Sequence, residues 1–441
     1  MEKKVCVRFA PSPTGPLHIG GVRTALFNYV YALANGGTFI LRFEDTDKDR
    51  SEAVFENNIK DGLKWMGIEW DEEYHQSKRA DIYKKYLDKL KAKDLIYEHD
   101  GGTYFRLPEK NKKIIVDDLI RGKVEFNSQD FDDVVLFKKD GSPTFHFANV
   151  VDDIDMNITH VIRGEDHLSN TPKHILLYEA LGADVPKFAH IPLILNPDKS
   201  KMSKRMVSSG SSRAGDIDFE AYIKAGYLPE AMINFLAQLG WSPPDENDFF
   251  TLEELVKMFT LDRVQKAGAV FDIKNLNHIN HHYLMEKSLD DYIKLAEPYI
   301  THLKGDKDLI EKALKLVQDR AQTLSEIPDL IEYFLKAPKY DGKLLIFKKS
   351  SPEQTAKGLD AALKVLEAID ERDWVETKLQ QVLDNTVAAE GLLPGDVFWP
   401  VRVALSGEEG SPSPTELLAA LGKDESIKRI KTAIGKLASS I

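Results

Sequence analysis

The sequence predicts an α/β chain in which a parallel-sheet domain is interrupted by an insertion and followed by a helical region. Two observations carry this prediction. Strand and helix patterns alternate at the start of the chain and again near residue 160, and after Pro229 the patterns are mainly helical. The 441 residues leave room for two to four domains of about 150 residues each.

The first 43 residues read as a strand–helix–strand unit. "KVCVRFA" (Lys4–Ala10) alternates apolar and polar residues, as a strand does. From Gly20 onward apolar residues recur at helical spacing, and the pattern ends at "NGG" (Asn35–Gly37), a helix stop. "TFILRF" (Thr38–Phe43) is a second strand. The short connection predicts two parallel strands with a right-handed crossover.

The same alternation returns after residues 113–150, which contain several short strand-like runs and turns. "HVIRG" (His160–Gly164) and "HIPLIL" (His190–Leu195) look like buried strands. The helix predicted between them has Pro172 in its first turn and Gly182 at its end. The resumption after the short runs indicates one α/β domain interrupted by another.

Composition excludes several classes of protein. Only one cysteine is present, so a disulfide framework and a thiolate zinc cage are both excluded. No run approaches the roughly 18 apolar residues of a membrane span, and the start lacks the apolar region of a signal peptide. A cytoplasmic protein without membrane contact is predicted. The net charge of −12 argues against a general nucleic-acid binder, but residues 336–350 and 423–436 are locally basic.

The stretch "FAPSPTGPLHIGG" (Phe9–Gly21) lies where the first strand ends and the first helix begins. Ligands of α/β sheets bind at this edge, and a helix N-terminus suits phosphate. Gly20 and Gly21 let a ligand approach the backbone, and His18 can donate hydrogen bonds to phosphate oxygens. A tight connector with a satisfied histidine explains the stretch equally well.

A second stretch, "KSKMSKR" (Lys199–Arg205), follows the predicted strand at "PLIL". Its basic side chains could fold over a triphosphate and neutralise the charge that develops on a leaving pyrophosphate. A solvated basic loop is the alternative for such a run. Its place at the end of another strand favours the phosphate interpretation.

Together the two stretches resemble the signatures of class I aminoacyl-tRNA synthetases. Longer strings, such as "RFAPSPTGPLHIGGVRTALFNY", "LRFEDTD", "DDLIRG" and "THVIRGEDHLSNTPKHILLYEALG", resemble the bacterial-type glutamyl-tRNA synthetase family over nearly the whole chain. The resemblance implies a Rossmann-type parallel-sheet catalytic domain, an inserted α+β acceptor-binding domain and an all-α anticodon-binding region. The expected divisions are 1–72 and 158–225 (two catalytic halves), 73–157 (insertion), 226–288 (stem-contact helices), and 289–350 and 351–441 (two anticodon-binding domains).

The resemblance also implies the site residues. Catalysis is assigned to His18, Lys204 and Arg205. ATP binding is assigned to Gly20, Gly21, Lys201, Lys204, the backbone at Leu193 and Ile194, and Glu165, which is expected near ATP and the tRNA end. Glutamate binding is assigned to Arg8, Ala10, Ser12, Glu44, Asn149, Arg163 and Phe145, where the family often has tyrosine. Arg8 and Arg163 fit independently, because an unpaired arginine on a predicted strand is otherwise hard to explain and a guanidinium binds carboxylate in two-pronged fashion.

The implied reaction needs no protein nucleophile. The α-carboxylate of L-glutamate attacks the α-phosphate of ATP, and the terminal ribose of tRNA(Glu) then takes the acyl group. Mg²⁺ is expected with ATP, no zinc or other protein-bound metal is expected, and the protein is expected to be a monomer. Four alternatives stay open: an enzyme that also glutamylates tRNA(Gln), another nucleotidyltransferase, the shorter glutamyl-queuosine paralogue, and a catalytically inactive tRNA-binding homologue.

Overall fold

A computed structural model describes residues 4–47, 51–107, 111–202 and 218–440. The chain divides into two compact units, Met1–Asn280 and His281–Ile441. The predicted fold class is confirmed: the first unit contains a Rossmann-type parallel sheet with an α+β insertion, and the second unit is helical.

The predicted strand–helix–strand unit forms the first half of the sheet. Strand β1 (Cys6–Phe9) leads into helix α1 (Ile19–Ala34), which returns to β2 (Thr38–Phe43). After α2 (Ala53–Trp65), β3 (Glu72–His75) pairs with β2, and all three strands run parallel in the order β1-β2-β3. The strands are apolar because helices cover the sheet.

The insertion contributes both a small sheet of its own and an extension of the parallel sheet. It comprises α3 (Ala80–Ala92), β4 (Ile96–His99), β5 (Gly102–Phe105), β6 (Lys113–Asp118), β7 (Gly122–Asn127), β8 (Val134–Phe137) and α4 (Phe145–Asp155). Strands β4, β5 and β8 form an antiparallel sheet. The hairpin β6–β7 instead joins the second half of the parallel sheet described next. One hydrophobic core therefore spans the insertion and that half-sheet.

The second half-sheet follows with β9 (His160–Gly164), α5 (Thr171–Leu181) and β10 (Lys187–Ile191), giving the order β7-β6-β10-β9. The backbone N–H of Thr159, just before β9, donates to Cys6 O at 2.9 Å, so the two half-sheets meet at β1. Pro172 and Gly182 bound α5 as predicted, with Gly182 left-handed at φ 70°.

The prediction of one strand over His190–Leu195 was wrong. The structure ends β10 at Ile191 and begins β11 (Ile194–Leu195) after Pro192 and Leu193. Pro192 has no N–H to donate to a ladder, which explains the break. β11 pairs instead with β12 (Ala269–Val270).

The remaining elements are helical. The first unit continues with α6 (Phe219–Ala225), α7 (Pro229–Gln238) and α8 (Leu252–Met258), and α9 (Ile273–Glu286) carries the division between the units. The second unit comprises α10 (Leu289–Ile300), α11 (Lys307–Val317), α12 (Ile327–Leu335), α13 (Pro352–Ala368), α14 (Glu376–Glu390), α15 (Pro394–Ser406), α16 (Pro414–Leu421) and α17 (Lys423–Ser440). Over the residues that the structure describes, no helix combines the length and apolar character needed to cross a membrane.

Candidate active site

A cavity of about 590 Å³ opens at the carboxyl ends of β1 and β9. Most of the predicted site residues line it: Arg8, Ala10, Ser12, His18, Gly20, Gly21, Glu44, Phe145, Asn149, Arg163, Leu193, Ile194 and Lys201. Glu165 does not line it, and Lys204 and Arg205 lie outside the described residues. Residues from both half-sheets therefore meet where the topology places ligands.

His18 is the N-cap of α1, and its ring is oriented by the helix itself. Its Nδ1 accepts a hydrogen bond from the backbone N–H of Gly21 at 3.1 Å. An accepting Nδ1 places the ring hydrogen of a neutral imidazole on Nε2, which makes Nε2 the donor. A Cβ at Gly20 would lie 3.2 Å from Nδ1, closer than most real contacts, so the absence of a side chain there keeps the ring in place.

Leu193 and Ile194 line the cavity, whereas Glu165 does not line it and instead binds the backbone of this segment. The carboxylate of Glu165 accepts from the N–H of Leu193 at 2.7 Å and pairs with Arg121. The carbonyls of Leu193 and Leu195 accept from residues at β12, so the N–H and C=O of Ile194 point to the opposite side of the strand. Glu165 thus acts on the cavity wall through the backbone.

Lys201 lines the open side of the cavity. Its Nζ lies 3.7 Å from Asp166 Oδ2, and both side chains are about half exposed. An exposed pair of this kind holds its partners only weakly, so Lys201 can exchange Asp166 for another anion.

Glu44 and Asn149 form a buried acceptor pair at the cavity wall. Asn149 Nδ2 donates to Glu44 Oε1 at 2.8 Å, while Asn149 Oδ1 is buried and has no partner among the described residues. Burial raises the pKa of Glu44 above its ordinary value, although the charge of Arg42 opposes the rise. A buried acceptor without a donor is costly, so a ligand that donates hydrogen bonds would be stabilised here.

Arg8, which was expected to be unpaired, is bound by Asp153 of α4. Its Nε donates to Oδ1 at 3.0 Å and its Nη2 to Oδ2 at 3.3 Å, and both side chains are buried. Arg42 also donates to Asp153, at 2.6 Å. Burial alone would lower the pKa of Arg42, but Asp153 and Asp152 raise it. The charge of Arg8 is therefore largely balanced within the protein, which corrects the sequence-based expectation.

Arg163 is different, because its guanidinium contacts only neutral acceptors. Nη2 donates to Thr171 Oγ1 at 2.8 Å and to the carbonyl of His167 at 3.3 Å, and Nε donates to His190 Nε2 at 3.2 Å. None of the described carboxylates lies within ion-pair distance of it. Burial and the nearby charge of Arg8 lower the pKa of Arg163 to about 10, so it stays charged at neutral pH without a described carboxylate in direct contact.

Neutral histidines surround this arginine. His174 Nδ1 lies 3.5 Å from Arg163 Nη1. Burial lowers the pKa of His167 to about 4 and that of His174 well below its ordinary value. Phe145, at the start of α4, packs against both rings. These neighbours shape the wall without adding charge.

Sequence reasoning assigned no role to Arg42, Asp153, Arg23 or Asp118. Arg23 also lines the cavity, and its guanidinium donates to the carbonyls of Leu239 and Pro192. A signal existed for two of them: Arg42 interrupts the apolar strand "TFILRF", and Asp153 lies in "VVDDID" on a helix whose neighbours are apolar. A charge on a buried face needs a partner.

Comparison with known proteins agrees with this architecture. Residues 4–103 and 102–278 match the family described as tRNA synthetases class I (E and Q), catalytic domain, and residues 291–434 match an anticodon binding domain. The chain is thus a class I tRNA synthetase by its catalytic domain. Enzymes of this class use ATP.

More specific relatives span the full length. A glutamate–tRNA ligase of Akkermansia muciniphila is 40% identical over 97% of this chain and 98% of its own length, and one of Natranaerobius thermophilus is 37% identical over all of both chains. The crystal structure of a glutamate tRNA ligase from Elizabethkingia meningosepticum, in complex with its amino acid, matches with a TM-score of 0.86 at 34% identity, covering 99% of this chain and 100% of that one. The chain belongs to the glutamate–tRNA ligase family.

Proposed function

We propose that this chain ligates L-glutamate to tRNA(Glu) in an ATP-dependent reaction. The observation that carries the proposal is Arg163, a buried guanidinium at the cavity wall whose hydrogen-bond partners among the described residues are all neutral. A buried charge without a counterion is costly, so such a site favours a ligand with a carboxylate. The side chain of glutamate supplies that carboxylate, and the full-length relatives are glutamate–tRNA ligases.

The other end of the amino acid fits the acceptor pair. We assign the substrate ammonium to Glu44 and to the unpartnered Oδ1 of Asn149. An ammonium has three donors, so it can satisfy both acceptors at once. The positive charge of the ammonium would also lower the pKa of Glu44, which burial raises.

Four further residues complete the proposed pocket. Arg8 retains Nη1 for the substrate, since Asp153 accepts from its Nε and Nη2. Ala10 and Ser12 line the cavity just after the carboxyl end of β1, and Phe145 offers an apolar wall without the hydroxyl of tyrosine. Binding by several fixed groups holds the α-carboxylate in position for attack.

The phosphates of ATP would lie against the start of α1. We assign His18 Nε2–H and the backbone N–H of Gly20 to the phosphates, while Gly21, whose N–H holds the His18 ring, has no side chain to block their approach; the outward-facing N–H of Ile194 is assigned to the adenine. Lys201 would contact the triphosphate, together with Lys204 and Arg205, whose assignment rests on the sequence alone. Mg²⁺ enters bound to ATP as part of the substrate.

The reaction then proceeds by positioning and charge stabilisation. The α-carboxylate oxygen bonds to the α-phosphorus while the bond to the bridging oxygen breaks and pyrophosphate leaves. The terminal ribose hydroxyl of tRNA next attacks the carbonyl carbon of the adenylate, and AMP leaves. The basic side chains stabilise the negative charge that develops on pyrophosphate. The substrates supply both nucleophiles, so no protein nucleophile takes part.

We also propose that the chain needs no zinc. Asp45, Glu56 and His75 place one possible ligand atom each within 4.8 Å of the others, but His75 Nε2 and Glu56 pair at 3.0 Å and Asp45 accepts two bonds from Ser77. Elemental analysis of the purified protein, with activity measured after chelation and readdition of Mg²⁺, tests this. Stoichiometric zinc would contradict the proposal.

The C-terminal unit would read the anticodon, in line with the match over residues 291–434. Within residues 336–350, the exposed lysines without an ion pair among the described residues are Lys339, Lys343, Lys348 and Lys349, whereas Lys423 and Lys436 bond to protein carbonyls. We therefore assign phosphate contacts to these four lysines of residues 336–350. The six-part division set out from the sequence, a monomeric state and a cytoplasmic location are further parts of this proposal.

ATP–pyrophosphate exchange with glutamate, with and without tRNA, tests the activity, and glutamine serves as the matched control amino acid. We expect exchange that depends on glutamate and is strongest with tRNA. No exchange with glutamate and tRNA present would refute the ligase activity. Aminoacylation of purified tRNA(Glu) and tRNA(Gln) then decides whether one or both are charged.

A further inference from the structure

Asp118, the last residue of β6 in the insertion, lies behind the cavity wall. Its side chain is fully buried and accepts hydrogen bonds from the backbone N–H groups of Ile120, Arg121 and His190. The ring Nδ1 of His190 approaches Oδ2 at 2.6 Å. Burial alone would raise the pKa of Asp118, but these bonds, that of the His190 ring foremost, lower it. Asp118 is therefore ionised.

The bond to Asp118 determines what the other nitrogen of His190 can do. Burial lowers the pKa of His190 more than Asp118 raises it, so the ring is neutral. With its one hydrogen on Nδ1, facing the carboxylate, the ring presents a lone pair on Nε2. That lone pair accepts from Arg163 Nε at 3.2 Å and also lies 3.1 Å from Thr171 Oγ1, which itself accepts from Arg163 Nη2. A chain of two hydrogen bonds thus runs from the insertion to the proposed carboxylate-binding arginine.

We propose that Asp118 is a positioning residue for glutamate: it fixes the tautomer of His190, which orients Arg163 without neutralising it. The contrast with Arg8 explains the arrangement. Arg8 is bound directly by the carboxylate of Asp153, which balances its charge. An acid in direct contact with Arg163 would compete with the substrate in the same way, whereas an interposed neutral imidazole gives orientation and leaves the charge available. This inference rests on the proposed function.

The same turn of the insertion supplies a matched control. Arg121, three residues on, pairs with Glu165, which holds the backbone of Leu193. Asp118 is therefore connected by hydrogen bonds to the proposed glutamate pocket, and Arg121 is connected through Glu165 to the proposed adenine segment. If the turn were important only for folding, changes at either residue would affect both substrates alike.

The test is steady-state ATP–pyrophosphate exchange in the full chain with tRNA present. We expect Asp118→Asn to raise the KM for glutamate about tenfold, the size of one lost charge-assisted hydrogen bond, with the KM for ATP changed less than about twofold. Arg121→Gln should do the reverse. An equal rise of both KM values in Asp118→Asn, or no rise for glutamate, overturns the inference.

A double-mutant cycle checks the route through His190. In His190→Gln the side-chain oxygen can accept from Arg163 without help from Asp118, so adding Asp118→Asn should change the glutamate KM less than about twofold. A full tenfold effect in that background overturns the route. If Asp118→Asn does not fold, His190→Gln must bind glutamate about tenfold better than His190→Ala, and equal KM values refute the inference. Absence of exchange in the unmodified chain would instead refute the proposed function.

Discussion

Replacing Arg163 by methionine should strongly reduce glutamate activation while leaving the fold almost as stable. The lowered pKa of Arg163 means that keeping its guanidinium charged in the folded protein costs about 3 kcal/mol. Methionine releases that penalty and loses hydrogen bonds to Thr171, His167 and His190, each worth roughly 1 kcal/mol net. The two effects nearly cancel, so the free energy of unfolding should change by less than about 2 kcal/mol.

The matched control is Arg8→Met. It removes a bidentate partner from buried Asp153, which keeps Arg42, so we expect a loss of about 3 kcal/mol of stability. Thermal unfolding of the N-terminal unit and tRNA-dependent pyrophosphate exchange measure the two effects. Arg163→Met should lower kcat/KM for glutamate at least about 30-fold, the low end for truncating a buried charge pair. Destabilisation equal to that of Arg8→Met, or retained exchange, would refute the reasoning.

Three further predictions follow from other parts of the site and fold. Lys204→Ala should reduce adenylate formation far more than tRNA binding, measured by exchange and by filter binding; equal losses would contradict its assignment. Gly20→Ala should raise the KM for ATP, because the new Cβ would lie 3.2 Å from the His18 ring and displace the ring from the Gly21 N–H. In the free protein, a Cβ at Gly21 would meet only ordinary contacts of 3.4 Å or more, so Gly21→Ala should leave the His18 ring in place. A normal ATP KM in Gly20→Ala would argue against the role of the ring. Burial lowers the pKa of His160 to about 4. Between about pH 6.5 and pH 4, His160 is therefore protonated in the unfolded chain but neutral in the folded chain. The free energy of unfolding falls as the pH is lowered through this range. His160→Gln should reduce this loss by up to about 1.4 kcal/mol per pH unit, as measured by denaturant unfolding at pH 7, 6 and 5, and an unchanged pH dependence would show that His160 contributes none of it.

Much of the fold was predictable because its signals are local. Strand β1, helix α1 and strand β2 follow from side-chain periodicity, and the end of α1 follows from "NGG". The division of "HIPLIL" into two strands was missed although Pro192 was visible, because the periodicity of a short apolar run does not reveal which strand it pairs with. The membership of β6 and β7 in the parallel sheet was equally out of reach, since pairing of β6 with β10 is a long-range contact.

The sequence by itself determined the family, the position of the turn proposed to bind phosphate and most of the residues that line the cavity, because motifs and chain order carry that information. Only the tertiary structure decided which of two strand arginines pairs with a carboxylate and which has neutral hydrogen-bond partners among the described residues. Arg8 and Arg163 have the same pattern in sequence, each near the end of an apolar strand. Asp153, 145 residues from Arg8, neutralises the first, while Asp118 reaches the second only through His190. Electrostatic balance depends on distances across the folded chain, which no local pattern contains.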